Sequence, residues 1–454
     1  MPAILSTDFR TLNATKFVER VASADDNLYI GIGKADPWDS TISGTSETVE
    51  TPLATGGYFS TAYRNLMGMV RVATDKISTM VVRYDWVSGQ SDWVAWDNNS
   101  ATIFDSKFYC VTDEFKVYKL LVVGTGNSTS KPQHGPETVD PVTETDGYIW
   151  KYMYSVTASE QISLLTTNYM SVQTGKSTDA DSARYDYQQE SAGITGSGVA
   201  IKGVTVATVT AAGSGYTNGT QTAVAIDGNG TGATVTYVVS GQAVTSATIV
   251  SEGAGYDVAS ITIPGGTGGV ITFTIAPENG HGTDPVSELG GRYVLVNAQL
   301  DGTGSGDLTV GNDFRQRSLI KNPYEADGTT IATSTTYNPV QAVIAATPID
   351  ANSLTVTEYI TGASSGAIAY VIATNGTTGY ISFTQNNKTG YGVFTDGEIV
   401  NGNVSGTVTL AATALATDTP EVELNSGEVL LVDNIDPVTR GSNQTEDVKM
   451  VIEF

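Results

Sequence analysis

Apolar positions along the first 190 residues change period several times. Between Leu12 and Val21, Phe17, Val18 and Val21 fall at helix-like intervals, and Asp25-Asp26-Asn27 closes the segment before an apolar run, Leu28–Ile32, that reads as a strand. A second stripe, Phe59, Tyr63, Leu66, Met67 and Val70, sits at i, i+4, i+7, i+8 and i+11 and predicts a helix over about 59–72. Lys107-Phe108-Tyr109-Cys110-Val111 reads as a strand, which makes Cys110 a buried, inert thiol rather than a nucleophile. Further on, Tyr148, Trp150 and Tyr152 alternate with Ile149, Lys151 and Met153, so the two sets face opposite sides of a strand.

Turn punctuation changes near residue 146. Asp-Gly pairs begin at Asp146, Asp227, Asp301, Asp327 and Asp396, and Asn-Gly pairs at Asn218, Asn229, Asn279, Asn375 and Asn401, with none earlier. Such dipeptides adopt positive φ cheaply and favour tight hairpins. The runs between them, such as Ala233–Val238 and Val270–Ile275, are rich in β-branched residues, so the chain beyond this point is expected to be all-β.

Two stretches are duplicated. Ala212-Gly-Ser-Gly-Tyr216 returns as Gly253-Ala-Gly-Tyr256, and Gly230-Thr-Gly232 with the following Ala-Thr-Val-Thr-Tyr returns as Gly266-Thr-Gly268 with Gly-Val-Ile-Thr-Phe. Glu358-Tyr-Ile-Thr-Gly362-Ala-Ser-Ser365-Gly366 returns 40 residues on as Glu398-Ile-Val-Asn-Gly402-Asn-Val-Ser405-Gly406. Two copies are too few for a solenoid. Each stretch is therefore expected to be a small β module built from a doubled hairpin-like unit, with the tyrosine after each Gly-x-Gly lying over glycine backbone. The fold class is mainly β, with antiparallel sandwich-like or barrel-like domains and a few N-terminal helices, in a multidomain chain of 454 residues.

Composition narrows the function. Glycine is 49 of 454 residues and proline only 14, which excludes collagen, and charged residues at 16% argue against a coiled coil or a charged disordered tail. Mean hydropathy is −0.07, no apolar run reaches the ~18 residues of a membrane span, and the N-terminus lacks the basic-then-apolar pattern of a secretory signal. The net charge of −25 repels nucleic acid, whose binding needs Lys and Arg to displace phosphate counterions, and it repels anionic membranes equally. Neither is expected as a partner. The acidity suits solubility, or basic patches on partner proteins. Cys110 stands alone, so neither an internal disulfide nor a cysteine zinc cluster forms.

Candidate chemistry does not assemble. His134 and His281 are the only histidines, both in Gly-rich surroundings, and no Gly-x-Ser-x-Gly elbow accompanies them. Gly175-Lys176-Ser177 resembles the end of a phosphate-binding loop, but Met170 stands where the first glycine belongs. Asp301–Asp307 spaces oxygen donors like a calcium loop, with Asn312 in place of the bidentate glutamate. Gly265–Gly269 has the glycines of a calcium-binding β-roll without its aspartate. The cluster Arg83-Tyr84-Asp85-Trp86 to Asp92-Trp93-Val94-Ala95-Trp96-Asp97 offers a sugar-stacking platform with two carboxylates for glycoside hydrolysis; the preferred reading is that its rings anchor a core or a subunit interface. No catalytic, cofactor-binding or metal-ligating residue is assigned, and no cofactor is expected.

Four separated segments decide the reading. They are Phe9-Arg10-Thr11 with Tyr29-Ile30-Gly31-Ile32-Gly33-Lys34-Ala35-Asp36-Pro37-Trp38; Leu66–Val72 leading to Arg83–Trp86; Asp146–Tyr154; and a split set of Phe314–Gln316, Lys321–Pro323, Ser426–Leu430 and Gln444–Phe454. In order and spacing they resemble the baseplate wedge subunit, or gene product eight, family of T-even-type contractile-tailed bacteriophages. The likeness covers most of 1–190, 287–350 and 420–454.

The organisation this implies is a wedge core over 1–195, an inserted glycine-rich β module over 196–286, core again over 287–352, a second inserted module over 353–415, and C-terminal core strands over 416–454. The resemblance further implies a late structural protein of the virion without enzymatic activity. Such a subunit is a homodimer within each wedge, touches other wedge proteins and neighbouring wedges of a sixfold baseplate, and is assembled in the host bacterial cytoplasm. The alternative is a tail-associated protein that binds or cleaves host glycan through Trp86, Trp93 and Trp96 or through the glycine-rich modules.

Overall fold

A computed structural model of the chain describes residues 4–138, 140–172, 202–278, 280–302, 308–416 and 419–454. The chain separates into two units, one of residues 1–18, 78–295 and 451–454, the other of 19–77 and 296–450. Its sheets are mostly antiparallel and its helices few and short, as expected.

The first helix, Thr7–Ala22, encloses the stretch expected over 12–21, and the strand Leu28–Gly33 follows it. The helix expected over 59–72 is shorter than that. Only Gly56–Arg64 is helical, started by Thr55 Oγ1 accepting from the Tyr58 N–H, and Leu66–Arg71 is a strand. The run Leu66-Met67-Gly68-Met69-Val70 pairs antiparallel with Leu28–Gly33, Ile30 opposite Val70. A strand buried on both faces carries no polar alternation, so its apolar positions mimic a helical stripe.

In the second unit these two strands belong to a five-stranded sheet, ordered Thr336–Tyr337, Leu66–Arg71, Leu28–Gly33, Asp313–Lys321, Glu428–Thr439. Every residue of Leu28–Gly33 is buried. Gly33 is needed there, because a Cβ would stand 2.4 Å from the Asn65 carbonyl oxygen. The same unit holds a closed six-stranded barrel of Gln341–Ala345, Tyr359–Gly362, Ile368–Asn375, Tyr380–Thr384, Ile399–Gly402 and Thr407–Leu415. Gln341–Ala345 closes the ring by pairing with both Tyr380–Thr384 and Thr407–Leu415. Val343, Ile360, Val371, Phe383, Val400 and Leu410 are among the residues of its core.

In the first unit, Tyr109–Val111, Lys116–Val122, Ile149–Ser155 and Val142–Thr143 form a four-stranded sheet in that order. Trp150 packs with Tyr148, Tyr152, Trp93, Cys110 and Tyr118 in one core, while Met153 packs with Phe108, Val117 and Leu121 in another. The strand is thus covered on both sides, and both Trp150 and Cys110 are fully buried. Burial raises the Cys110 thiol pKa well above its ordinary value, so the thiol is unreactive.

The glycine-rich stretch of this unit is organised by exchange. Val204–Ser214 pairs with Thr267–Ile275, and Thr231–Ser240 pairs with Ala243–Ala254. The two ladders repeat one register: Ile271 opposite Val209 and Val235 opposite Ile249, Thr272 opposite Thr208 and Thr236 opposite Thr248. Register shifts recur at matching positions, before Ile271 and before Val235. Tyr216 lies against Gly266 and its hydroxyl oxygen accepts from the Gly269 N–H at 2.9 Å. Tyr256 lies against Gly230 and accepts from the Ala233 N–H at 3.3 Å. Each ring covers glycine of the other copy, where a Cβ would come within 2.3 Å of it.

The Asp-Gly and Asn-Gly pairs divide. Asp146-Gly147 turns the chain into Ile149–Ser155, with Gly147 at φ +82, and Asn375-Gly376 begins the turn before Tyr380–Thr384. Asp227-Gly228 and Asn401-Gly402 instead lie within strands. Between Thr231–Ser240 and Ala243–Ala254 the tight turn is made by Gly241 and Gln242, at φ +61 and +66. The stretch expected to be all-β also contains the short helices Ala158–Ser163 and Pro285–Leu289 and a 3-10 turn, Pro348–Ser353. Asn279, Gly175-Lys176-Ser177 and residues 303–307 of the Asp301–Asp307 segment lie outside the described residues.

Candidate functional site

The most elaborate polar geometry in the second unit surrounds Asp36, which follows the strand Leu28–Gly33 by three residues. Its carboxylate is fully buried and meets Lys34 Nζ at 2.7 Å and Lys388 Nζ at 2.8 Å. Asn386 Nδ2 and the Tyr359 hydroxyl donate to it at 3.1 and 3.2 Å. Burial alone would raise the Asp36 pKa; the two ammonium groups outweigh it and hold the carboxyl below its ordinary value. Both lysines also donate to the Pro37 carbonyl, and their charges lie over the rings of Trp38 and Tyr359. Residues 34–38 lie in the stretch expected to be wedge core, and Tyr359, Asn386 and Lys388 in the stretch expected to be an insertion. Asp36 therefore bonds the two together within this unit.

A second polar device lies in the barrel. Glu398 accepts from the N–H groups of Ser364 and Ser365 at 2.9 Å each, from Ser365 Oγ at 2.7 Å and from the Thr395 N–H at 2.7 Å. Glu358 accepts from the N–H groups of Val404 and Ser405 at 2.9 and 3.0 Å, from the Thr355 N–H at 2.7 Å and from Ser405 Oγ. Gly362 and Gly402 make room for this, since a Cβ would meet Glu398 at 2.6 Å and Glu358 at 2.7 Å. Burial raises both carboxyls, and the donated hydrogen bonds reverse that and leave each pKa lowered.

In the first unit, Lys119 and Glu288 form an ion pair at 0% and 3% side-chain exposure. Lys119 Nζ sits 4.6 Å from the Trp96 ring centroid, and Glu288 accepts further from the Gly282 and Asp284 N–H groups. Burial pulls the Lys119 pKa down, opposed by Glu288. Lys34, Asp36 and Lys388 in one unit and Lys119 and Glu288 in the other are thus bonded to one another, while Glu358 and Glu398 are bonded to the N–H and hydroxyl groups of turns.

The aromatic cluster is a core. Trp93 and Trp96 are 4% and 8% exposed, Trp93 meets Trp150 edge-on at 5.5 Å, and Trp96 Nε1 donates to the Ile275 carbonyl at 3.1 Å. Trp86 is partly buried and donates to Ser128 Oγ at 3.1 Å. The neighbouring carboxylates are engaged, Asp85 with Arg83 and Asp92 with Lys107, so the rings present no open stacking platform. The structure does not bring His134 and His281 together in one site: His134 lies against Tyr118 and His281 against Trp96. Burial lowers both histidine pKa values, that of His134 to about 4. Among the described residues, no group of three or more His, Cys, Asp or Glu side chains is placed to hold a metal ion, and no helix is long and apolar enough to cross a membrane.

Sequence reasoning singled out Lys34, Asp36, Glu358 and Glu398 only as parts of motifs. It missed Asn386 and Lys388, which are some 350 residues from Asp36 and carry no local signal. It also missed Lys119, whose position amid a buried strand run was the available clue.

No protein-family model matches the chain. The chain is 21% identical over 217 residues to the baseplate wedge protein gp8 of Enterobacteria phage T4, an alignment that takes in 41% of this chain and 65% of that protein. It thus spans just under two thirds of the length of the relative it matches. The similarity is a distant relationship to baseplate wedge proteins.

Proposed function

We propose that this protein is a wedge subunit of a contractile-tail phage baseplate, acting through shape and protein–protein contact without making or breaking bonds in a substrate. The observation that carries the reading is the likeness to the T4 wedge protein. The geometry supports it: His281 is buried and His134 half-buried, both with lowered pKa, the thiol is inert, and the buried carboxylates bind the chain's own lysines, hydroxyls and N–H groups. In this reading the protein pairs as a homodimer within each wedge, contacts the other wedge proteins and adjacent wedges, is assembled in the bacterial cytoplasm and resides in the virion. Residues 196–286 and 353–415 are additions to a wedge-like chain, and the described strands of each pair between its two copies. Rigid β domains of this kind suit an assembly that changes shape by pivoting at interfaces.

Co-expression with the other wedge proteins of its own genome tests the proposal. The expected result is co-elution as a defined complex and recovery of the chain from purified virions. Absence from virions, or release of reducing sugar from host polysaccharide by the isolated protein, overturns it.

A further inference from the structure

We propose that Lys34 and Asn386 become joined through their side chains by an amide bond, formed once within the chain with loss of ammonia and with Asp36 carrying the protons. The groups such a reaction needs meet on one carboxylate oxygen. Asp36 Oδ1 lies 2.7 Å from Lys34 Nζ and accepts from Asn386 Nδ2 at 3.1 Å. Amine and amide therefore stand side by side on a group able to move a proton between them. Asn386 Oδ1 accepts from the Lys388 N–H at 3.0 Å, so a donor is already aimed at the oxygen that gains charge when the amide carbon is attacked. Lys34 is 7% exposed, Asn386 3% and Asp36 fully buried. That burial limits access of water, the competing nucleophile.

The placement of the two lysines selects the nucleophile. Two ammonium groups share the one buried carboxylate of Asp36, and loss of a proton from either relieves their repulsion. Burial and the neighbouring Lys388 charge pull the Lys34 pKa down, opposed by Asp36. A deprotonated Lys34 is an amine free to attack. Lys388 is placed otherwise: its Nζ lies 2.8 Å from Asp36 Oδ2, the oxygen to which the Tyr359 hydroxyl donates, and not on the oxygen that Asn386 uses.

The step balances without an added reactant. One proton passes from the Lys34 ammonium to Asp36. The Nζ lone pair then forms a bond to Asn386 Cγ, and the carbonyl pair moves onto Oδ1, beside the Lys388 N–H. Asp36 gives its proton to Nδ2 and takes the second proton from Nζ. The Cγ–Nδ2 bond breaks, its electron pair leaving with ammonia, and the carbonyl re-forms. Lys34 keeps one hydrogen on an amide nitrogen, and Asp36 is left with one proton to shed to water. A cleft of about 250 Å³, lined in part by Lys34, Asn65 and Asn386, gives ammonia its way out. The bond makes permanent a junction between the stretch expected to be wedge core and the stretch expected to be an insertion. It does not rest on the baseplate reading, since it concerns a single purified chain and either can fail alone.

The test is the intact mass of the full-length protein, denatured directly after purification and again after prolonged incubation in the native state. The expected mass is one ammonia below that of the sequence, with a branched tryptic peptide joining residues 21–64 to 322–388 through Lys34 and Asn386. Lys34→Arg keeps a cation beside Asp36 but has no nucleophilic amine; it is expected at its full sequence mass, without the branched peptide. Asp36→Asn, if it folds, is expected to link roughly a hundredfold more slowly. Full sequence mass in the incubated native protein overturns the proposal whatever the variants do. So does ammonia loss confined to linear peptides, which marks a succinimide at an Asn-Gly pair, or a branch through Lys388 in place of Lys34. Unchanged linking in a folded Asp36→Asn variant overturns the part given to Asp36.

Discussion

Glu358 and Glu398 hold each other's turns: the carboxylate of each copy accepts the N–H groups and serine hydroxyl of the turn belonging to the other. The strands that carry them are paired symmetrically, Ile360 opposite Gly402 and Gly362 opposite Val400. A duplication visible as a linear repeat is thus a two-fold exchange in space, and the conserved spacing of Thr, Glu, Gly and Ser between copies is what that exchange requires.

Each carboxylate satisfies four donors from a buried position, so Glu358→Ala and Glu398→Ala are expected to cost roughly 2–4 kcal/mol apiece. The symmetry predicts nearly equal costs in urea unfolding. A large inequality between the two variants would contradict it. Both pKa values are lowered on folding, so this support is complete above the ordinary glutamate range and is lost only as pH falls through the lowered values.

Trp150 is fully buried, edge-on to Trp93 and stacked on Tyr148 at 6.2 Å. Trp150→Ala is expected to lose about 3–5 kcal/mol, read as a fall in denaturant midpoint. A variant with unchanged midpoint would refute the core assignment.

Breaking the Lys119–Glu288 pair from one side leaves an uncompensated buried charge. Lys119→Met alone is expected to cost about 3–5 kcal/mol, whereas Lys119→Met with Glu288→Leu should restore much of the loss. Double-mutant thermal unfolding checks this; additive losses would show that the two charges act independently.

His134 has its pKa lowered to about 4 by burial. Between that value and the ordinary 6.5 the unfolded chain binds a proton that the folded chain does not, so stability falls as pH drops through this window. After allowance for partial exposure the contribution is about 2 kcal/mol. The buried His281 acts in the same direction. His134→Gln should flatten the profile between pH 4 and 6.5; an unchanged slope would count against the assignment.

The sequence made much of this fold legible. The run at 28–32 and the alternation of Tyr148, Trp150 and Tyr152 are local patterns whose period survives folding. The strand Leu66–Arg71 was not, because Leu66, Met67 and Val70 satisfy a helical period by accident, and a central strand shows no polar face to correct the error. The Gly241–Gln242 turn was missed because its partner strands, more than its own residues, impose the positive φ. The Asp36 cluster was half legible: Lys34 and Asp36 are adjacent in sequence, but the residues that complete their bonding arrive from a stretch that shares no local pattern with them.

Tyr216 and Tyr256 each finish the half-module that the other begins, so neither half has a complete set of contacts by itself. A half from one chain presents the same unmet surface to the matching half of any nearby chain. Wherever copies of the chain fold at close quarters, that complementarity is a route to strand swapping between molecules.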